Sequence, residues 1–444
     1  QAGDYLYYSG RASHFAEGSW GIFRVFDELQ GDLKPLPGRE QIQKSAPSVC
    51  PADAPVKTFN VSAVDQQIRY HDGAPGMMEV DLERKMVFGN EQGKMYVLDG
   101  DRGRVKAGEL KPSPLTLHVN VGDCVKVNLK NEMAKERAGF HVDMMAFNPK
   151  DSFGANVGNN PGDQTVAPGE SKTYTYYAHP EYGELAALIQ DWGNVVENPR
   201  NGLFGSIIVG PKGSRYREPV TGEDVTMKSS WRADVLVDRT ISGNETRKNY
   251  RDFSLMFQDE DNIVGVSFMP YIQQVAGITA VNYRSEPTAW RMEKGCDIPE
   301  VFACVKAGET PSTPLLQAHV GDPVAVHVLG AFSEQVQLFT IDGHEWPHEP
   351  YMQGADQVST MEFGGSEIIN AHLTGGAGGP NRIIGDYIWK NQRPAYANAG
   401  QWGLFRVLPT DDQRIKPLTP QVPPTKTAKQ NGKAKVSPAS LSVK

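Results

Sequence analysis

Two histidines four residues apart stand beside acidic residues in the segment DGHEWPHEP. His344 and His348 are each followed by a glutamate, Glu345 and Glu349. Imidazole and carboxylate groups are ligands that several divalent metals accept. Pro347 lies between the histidines and prevents a regular helix, so their spacing does not place both rings on one helical face. The segment could form a metal site in a loop, or it could be an exposed polar loop.

Three consecutive acidic residues follow the apolar run SLMF. Asp259, Glu260 and Asp261 form a cluster of carboxylates, and carboxylate oxygens are the ligands that Ca²⁺ prefers. The cluster could hold calcium, or it could be a solvated turn after a strand.

The remaining polar residues form no recognisable active site. His141 and His179 lie beside aromatic residues in strand-like segments, where a buried, hydrogen-bonded histidine is expected. The sequence has no Ser-His-Asp or paired-carboxylate pattern. The glycine-rich stretch 375–382 is not followed by the Lys-Ser/Thr of a phosphate loop.

The four cysteines can be arranged in two pairs. Cys296 and Cys304 lie eight positions apart in GCDIPEVFAC, which suits a short loop closed by a disulfide. Cys50 and Cys124 form the second pair. No Cys-x-x-C motif supports zinc or thioredoxin chemistry. We therefore predict the disulfides Cys50–Cys124 and Cys296–Cys304 and an oxidising compartment, with four buried free thiols as the alternative.

Composition excludes several classes of protein. The 444 residues carry a net charge of -8, and an acidic chain argues against a nucleic-acid groove. No apolar run approaches the ~18 residues of a membrane span, and no signal peptide is visible at Gln1. We expect a chain that is processed or belongs to a longer polypeptide. The basic, Pro- and Lys-rich segment 410–444 is expected to be disordered.

The chain repeats itself. Residues 3–25 (GDYLYYSGRASHFAEGSWGIFRV) align without a gap with residues 385–407 (GDYIWKNQRPAYANAGQWGLFRV), and ten of 23 positions are identical. A shorter third copy, GLFGSIIV, covers 202–209. A second element, HVNVGDCVKVNL at 118–129, resembles QAHVGDPVAVHV at 317–328. Two units therefore carry both elements, whereas the first has only the final one.

Alternating apolar and polar residues between these elements predict many short strands joined by Gly and Pro turns. The fold class is therefore all-β, with Greek-key β-sandwiches, two of them complete and one represented by its C-terminal remnant. The expected organisation is a remnant at 1–30, a linker at 31–60, sandwiches at 61–212 and 213–409, and the tail at 410–444.

Several segments together resemble the cupredoxin domains of large multicopper oxidases of the ceruloplasmin and hephaestin kind. These are VAPGESKTYTYYAHPEYGE at 166–184, DWGNVVENPRNGLFGSIIVGP at 191–211, RDFSLMFQDED at 251–261, TIDGHEWPHEP at 340–350 and the two GDY segments. The resemblance covers most of residues 1–409. It implies a cupredoxin sandwich for each unit and copper as the cofactor of the parent protein.

The resemblance also assigns positions to the copper ligands, and few of these residues can bind copper. The family's His-Cys-His, His and Met positions fall on Tyr8, Ser9, Gly10, His14 and Trp20, and again on Lys390, Asn391, Gln392, Tyr396 and Trp402. The ligand positions of its other histidine strings fall on Gln337, Thr340 and Asp342, and on His141 and Asp143. Only His14 and His141 remain as weak metal candidates beside His344, His348, Asp259 and Asp261. We expect no copper to be bound by this chain alone.

Large aromatic residues occupy the position where the family often has its axial methionine. These are Trp20, Trp402 and, in the middle copy, Phe204. A bulky ring can fill the space of a lost metal, and cavities in a core cost stability. We therefore predict that all three are buried, with surface anchoring of a partner as the alternative.

Two functions follow from these observations. The first is a structural segment of a secreted or periplasmic multicopper-oxidase-like protein, which oxidises a metal ion or organic reductant with O₂ in copper-bearing domains elsewhere. Its expected partners are N-terminal domains outside this sequence, or a partner chain, that complete the first sandwich. The second is a cupredoxin-derived binding or scaffold protein without redox activity that uses the loops near His344 and Asp259 to bind a metal or a partner.

Overall fold

The computed structural model describes residues 1–38, 41, 44–72, 80–81, 86–87, 89–259 and 278–418. The strands in these residues are β1 (Gly3–Tyr8), β2 (Trp20–Val25), β3 (Val56–Asp65), β4 (Ile68–Arg69), β5 (Val80–Asp81), β6 (Met86–Val87), β7 (Gly89–Asn90), β8 (Lys94–Leu98), β9 (Leu115–Asn120), β10 (Cys124–Asn131), β11 (His141–Val142), β12 (Ala146–Phe147), β13 (Ser171–Tyr177), β14 (Leu185–Gln190), β15 (Phe204–Gly210), β16 (Arg215–Arg217), β17 (Arg232–Leu236), β18 (Tyr250–Asp259), β19 (Thr279–Val281), β20 (Leu316–His319), β21 (Val324–Ser333), β22 (Gln337–Ile341), β23 (Trp346–Pro347), β24 (Gln357–Val358), β25 (Thr360–Phe363), β26 (Ile368–His372), β27 (Gly385–Asn391) and β28 (Trp402–Leu408). The helices are α1 (Ala12–Ala16), α2 (Asp99–Lys106), α3 (Glu197–Arg200), α4 (Thr288–Glu293) and α5 (Pro394–Asn398), with 3₁₀ turns at Ile298–Glu300 and Val305–Ala307.

Strands β1 and β2 form a separate antiparallel sheet, called here the amino-terminal hairpin. The hairpin lies against the next unit of the chain. The Tyr8 hydroxyl donates to Gln190 Oε1 at 2.8 Å. The rings of Tyr8 and Phe15 meet the Trp192 indole edge-on, with centroids 4.7 and 5.3 Å away. Aromatic packing of this kind fixes the hairpin to the following sandwich.

The first sandwich consists of a sheet in the order β12-β13-β10-β3-β8 and a sheet in the order β11-β14-β15-β9. Alternation along β10 shows why its residues form a strand with one buried face. Val125, Val127 and Leu129 lie in the core between the sheets, whereas Lys126 and Lys130 are exposed. A period of two residues places these two sets on opposite faces of a strand.

The second sandwich repeats this arrangement. One sheet has the order β16-β17-β18-β21-β26, with β19 also paired to β18, and the other has the order β20-β28-β27-β22-β25. Phe253 and Phe257 of β18 face Trp389 of β27 and Phe405 of β28 across the core. The all-β sandwich class expected from the sequence is confirmed.

A further apolar layer joins the two sandwiches through the outer faces of their sheets. Ala186 and Leu188 of β14 and Ile208 of β15 form one cluster with Met256 of β18 and Leu329 of β21. Every residue of β14 and β15 is buried, as is nearly every residue of β18, because one face of each strand points to its own core and the other to the neighbouring sandwich.

The structure differs from the expected organisation at two points. Strand β3 begins at Val56, within the segment expected to be a linker. Residues 410–418, expected to belong to a disordered tail, lie on the second sandwich: Ile415 is buried and Arg251 Nη2 donates to the Lys416 carbonyl at 2.8 Å. Residues 419–444 lie outside the described residues, and the remaining boundaries stay predictions.

Candidate functional site

The same hairpin occurs three times in the structure, with the same register. Trp20 lies opposite Tyr8, Phe204 opposite Gln190, and Trp402 opposite Lys390. The residue that follows the first-strand partner of each aromatic is therefore Ser9, Asp191 or Asn391. In the first and third copies, the resemblance assigns this position to the copper-binding cysteine. The common register shows that Asp191 is the equivalent residue of the middle copy, which the sequence comparison missed.

In the second sandwich this position is Asn391, which forms a cluster of amide side chains with Gln337 and Gln401, called here the amide cluster. Asn391 Nδ2 donates to Gln337 Oε1, and also to Gln401 Oε1 at 2.7 Å. Gln401 Nε2 donates to the Gln258 carbonyl at 3.0 Å, and Gln337 Nε2 donates to Asp259 Oδ2 at 2.9 Å. All three side chains are fully buried. The cluster offers neutral amides, already hydrogen-bonded to one another, in place of a thiolate and an imidazole, and so does not suit type 1 copper.

Two further positions that the resemblance assigns to copper ligands in this unit are also buried. Tyr396 and Trp402 are both inaccessible to solvent. Trp402 Nε1 donates to the Glu286 carbonyl at 2.7 Å, and the Phe302 ring meets the indole edge-on at 4.7 Å. Phe302 belongs to the loop closed by Cys296 and Cys304, so this loop covers Trp402. The predicted burial of Trp402 is confirmed.

The middle hairpin places a buried carboxyl at the equivalent position. Asp191 accepts hydrogen bonds from the backbone N–H groups of Gly139, Gly193 and Asn194 at 2.7–3.0 Å, and from Asn198 Nδ2 at 2.9 Å. Burial nevertheless raises the pKa of Asp191 to about 6. The carboxyl fastens the loop after β14, with all its bonds made inside the protein. Phe204 is buried, as predicted.

In the amino-terminal hairpin the prediction was wrong. Trp20 is 50% exposed, because no cap equivalent to the loop over Trp402 lies on it among the described residues. His14, the remaining copper-type ligand here, is exposed on α1, with Nδ1 3.4 Å from Ser9 Oγ. Trp20 therefore lies at the surface, and anchoring of a partner by its ring stays a prediction.

His141 is buried, and both of its ring nitrogens have partners. Nδ1 donates to the Phe153 carbonyl at 2.7 Å, Nε2 lies 3.1 Å from Asp143 Oδ1, and the ring stacks on Phe153. These contacts agree with the structural role expected for a buried histidine.

His344 and His348 do not form one loop site. His344 is buried, with Nδ1 donating to the Asp342 carbonyl at 3.1 Å and Nε2 accepting from the Gly378 N–H at 3.0 Å. Burial lowers the pKa of His344, which favours the neutral ring these bonds require. His348 is half exposed. The expectation of an exposed polar loop is therefore wrong for His344, which packs on Phe405.

Asp259 is the last residue of β18 and is completely buried. Its Oδ2 accepts from Gln337 Nε2, which ties it to the amide cluster. The expectation of a solvated turn is therefore wrong for Asp259. Asp261 lies outside the described residues.

A polar cluster that the sequence did not indicate lies between the sandwiches. His327 Nε2 lies 3.1 Å from Asp252 Oδ2, and its Nδ1 lies 2.7 Å from Asn370 Oδ1. Burial opposes protonation of His327, but Asp252 raises its pKa overall. Neither ring nitrogen of His118 has a hydrogen-bond partner among the described residues, and burial lowers its pKa to about 4. Burial likewise lowers the pKa of His372 to about 4. These residues come from β9, β18, β21 and β26, so only tertiary packing brings them together.

A cleft of about 670 Å³ also lies between the sandwiches. Its basic side chains are paired with acidic neighbours: Lys111 Nζ lies 2.5 Å from Asp72, and Arg232 Nη2 lies 2.7 Å from Glu218. Because these charges are paired, they do not favour either an anionic or a cationic ligand in the cleft.

Both predicted disulfides are confirmed. Cys50 is bonded to Cys124 and Cys296 to Cys304, and no free cysteine remains. No thiolate of this chain is therefore available to a metal while both bonds are intact.

Across the described ranges, no three His, Cys, Asp or Glu side chains meet in a group that could hold a metal ion. Within those ranges, no helix has the length and apolar character of a membrane span. Neither a protein-family model nor a curated protein matches the sequence.

Solved structures similar to the chain include a multicopper oxidase (15% identity, 81% of this chain and 91% of the other, TM-score 0.47). They also include the blue copper oxidase from Nitrosomonas europaea (16%, 80% and 86%, TM-score 0.47) and the copper nitrite reductase from the same organism (14%, 82% and 96%, TM-score 0.47). The chain is similar in architecture to these copper proteins.

Proposed function

We propose that this chain is the copper-free structural part of a multicopper-oxidase-like protein located outside the cytoplasm. One observation carries the proposal: Gln337 and Asn391 of the amide cluster occupy positions that the resemblance assigns to copper ligands in the second sandwich. Its members are buried and bonded to one another, so the site is a packed piece of the core.

The chemistry of the replacements supports loss of copper rather than a change of metal. A blue-copper site depends on a thiolate and imidazoles, whereas Gln337 and Asn391 supply neutral amides. The four cysteines are all used in disulfides. Disulfides persist in oxidising compartments, which supports a secreted or periplasmic location.

The layer between the sandwiches supports a scaffold role. The apolar cluster runs through the outer faces of both inner sheets. Polar contacts add to it: Gln258 Nε2 donates to the Arg200 carbonyl at 2.6 Å, and Gln190 Nε2 donates to Ser366 Oγ at 2.8 Å. Two sandwiches joined in this way can hold further domains in a fixed orientation.

The proposal is tested by restoring ligands to the amide cluster. The double variant Gln337→His and Asn391→Cys puts an imidazole and a thiol in two adjoining positions. After copper loading and desalting, we expect the variant to retain more copper than the parent chain. A control with Cys at Asn128, which is partly exposed on β10, measures adventitious thiol binding. Equal copper in all three proteins would contradict the assignment of this site.

A further inference from the structure

The outer edge of β2 is the feature that sets the amino-terminal hairpin apart from its two copies. In the first sandwich β9 runs parallel to β15, with Leu117 opposite Ile207. In the second, β20 runs parallel to β28, with Leu316 opposite Phe405. Among the described residues, no strand pairs with the equivalent edge of β2.

The hydrogen-bonding pattern shows which groups this edge presents. The Ser9 N–H donates to the Ser19 carbonyl at 2.9 Å, and bonded and non-bonded pairs alternate along an antiparallel ladder. The N–H groups of Ile22 and Arg24 therefore point away from β1. The equivalent groups of Leu404 and Arg406 point toward β20, and the ladder continues with Val320 N–H donating to the Leu408 carbonyl at 2.8 Å.

The side chains of the hairpin show the same difference. Tyr7 and Phe23 are 63% and 64% exposed, whereas their equivalents Trp389 and Phe405 are fully buried in the core of the second sandwich. Large aromatic residues grouped on one face of a sheet indicate an interaction surface.

The opposite edge of the hairpin is already occupied near its start. The Asp4 N–H donates to Asn160 Oδ1 at 2.9 Å, and Asn160 Nδ2 donates to the Asp4 carbonyl at 2.8 Å. One amide side chain thus makes both bonds that a neighbouring strand would make. No residue of the described ranges makes such bonds to the edge of β2, and an open edge is a template for pairing with another chain.

We propose that the edge of β2 binds an extended strand of another polypeptide, which runs parallel to β2, and that a second sheet of the same polypeptide packs on Tyr7 and Phe23. The occupant is specified by the two complete copies, which both carry a parallel strand with apolar residues at alternate positions. This inference concerns assembly and does not depend on whether copper is bound.

The first test is hydrogen exchange of the intact chain, resolved to single residues by fragmentation. The amides of Ile22 and Arg24 should exchange much faster than those of Leu404 and Arg406, which serve as internal references. Equal protection that is independent of concentration would overturn the proposal, because a segment of this chain would then cover the edge. Protection that is lost on dilution would support it, with a second copy of the chain as the occupant.

The second test adds a strand. A fluorescent peptide, TPLLQAHVGD, reproduces residues 313–322, which contain β20. We expect saturable binding with protection of the Ile22 and Arg24 amides. Ile22→Pro removes an outward N–H, which an edge strand tolerates, and should abolish binding, whereas Ile22→Val should retain it.

Phe23→Ser gives an independent readout at an exposed position where folding is not at risk. Loss of a cross-strand contact should weaken peptide binding by about two- to fivefold. Failure of the parent chain to bind at about 1 mM peptide, or unchanged binding by Ile22→Pro, would overturn the proposal.

Discussion

Replacing Trp402 by alanine should destabilise the second sandwich by roughly 3–5 kcal/mol. The indole is completely buried, donates to the Glu286 carbonyl at 2.7 Å and is covered by Phe302. The Arg291 guanidinium lies 5.4 Å from the ring centroid. Alanine would lose all of these contacts and leave a cavity beneath the disulfide loop.

The size of the effect follows from the buried surface. A buried tryptophan removes roughly 150–250 Å² from water, which at about 25 cal/mol/Å² corresponds to about 4–6 kcal/mol. Alanine keeps a small part of this burial. Loss of the indole donor to Glu286 adds about 1 kcal/mol, so the sum is consistent with the range seen for large-to-small core substitutions.

Urea unfolding of the parent and variant chains measures the change in the free energy of unfolding. The dependence of this free energy on urea concentration should be the same in both chains. Trp20→Ala is the matched control, because Trp20 occupies the same hairpin position and is half exposed. It should cost about 1 kcal/mol or less. A loss below about 1 kcal/mol for Trp402→Ala, or equal losses for both variants, would refute the view that Trp402 fills the core.

Three further predictions concern the loop and the buried titratable groups. Removing the Cys296–Cys304 bond with serines should cost roughly 2–3 kcal/mol and make Trp402 fluorescence easier to quench; unchanged quenching would show that the loop is no cap. Burial lowers the pKa of His118 to about 4, so the unfolded chain takes up a proton at this histidine at a higher pH than the folded chain does. The free energy of unfolding should therefore fall by up to about 3 kcal/mol as the pH drops from 6.5 to 4. The pH profile of His118→Phe should lack this loss. Burial raises the pKa of Asp191 to about 6 from 3.8, so the unfolded chain loses the Asp191 proton at a lower pH than the folded chain does. The free energy of unfolding should therefore fall by about 3 kcal/mol as the pH rises from 4 to 6, the reverse of the His118 effect. The Asp191→Asn profile, compared with that of the parent at each pH, should lack that decline, and parallel profiles would contradict the assignment.

Local pattern was sufficient to predict the strands, the repeat and the disulfides. The alternation in β10 follows directly from the period of a strand, and the gapless alignment of residues 3–25 with 385–407 predicted the common register of Trp20 and Trp402. Cys296 and Cys304 lie close enough in sequence for their pairing to be inferred from the loop they enclose.

Features that depend on distant elements could not be predicted in the same way. Trp20 and Trp402 share a motif, yet only Trp402 is covered by a disulfide loop. Asp259 looked like part of a solvated turn because the sequence does not show that Gln337 approaches it. The pairing of His327 with Asp252 likewise arises from the contact of strands far apart in the chain.

The copper content and visible absorption of the purified, copper-loaded chain test the central claim most directly. With both disulfides intact and amides at Gln337 and Asn391, we predict no blue Cys-to-copper absorption band and far less than one copper per chain after desalting. An intense blue band accompanied by about one copper per chain would contradict the proposal that this chain is the copper-free structural part of its protein.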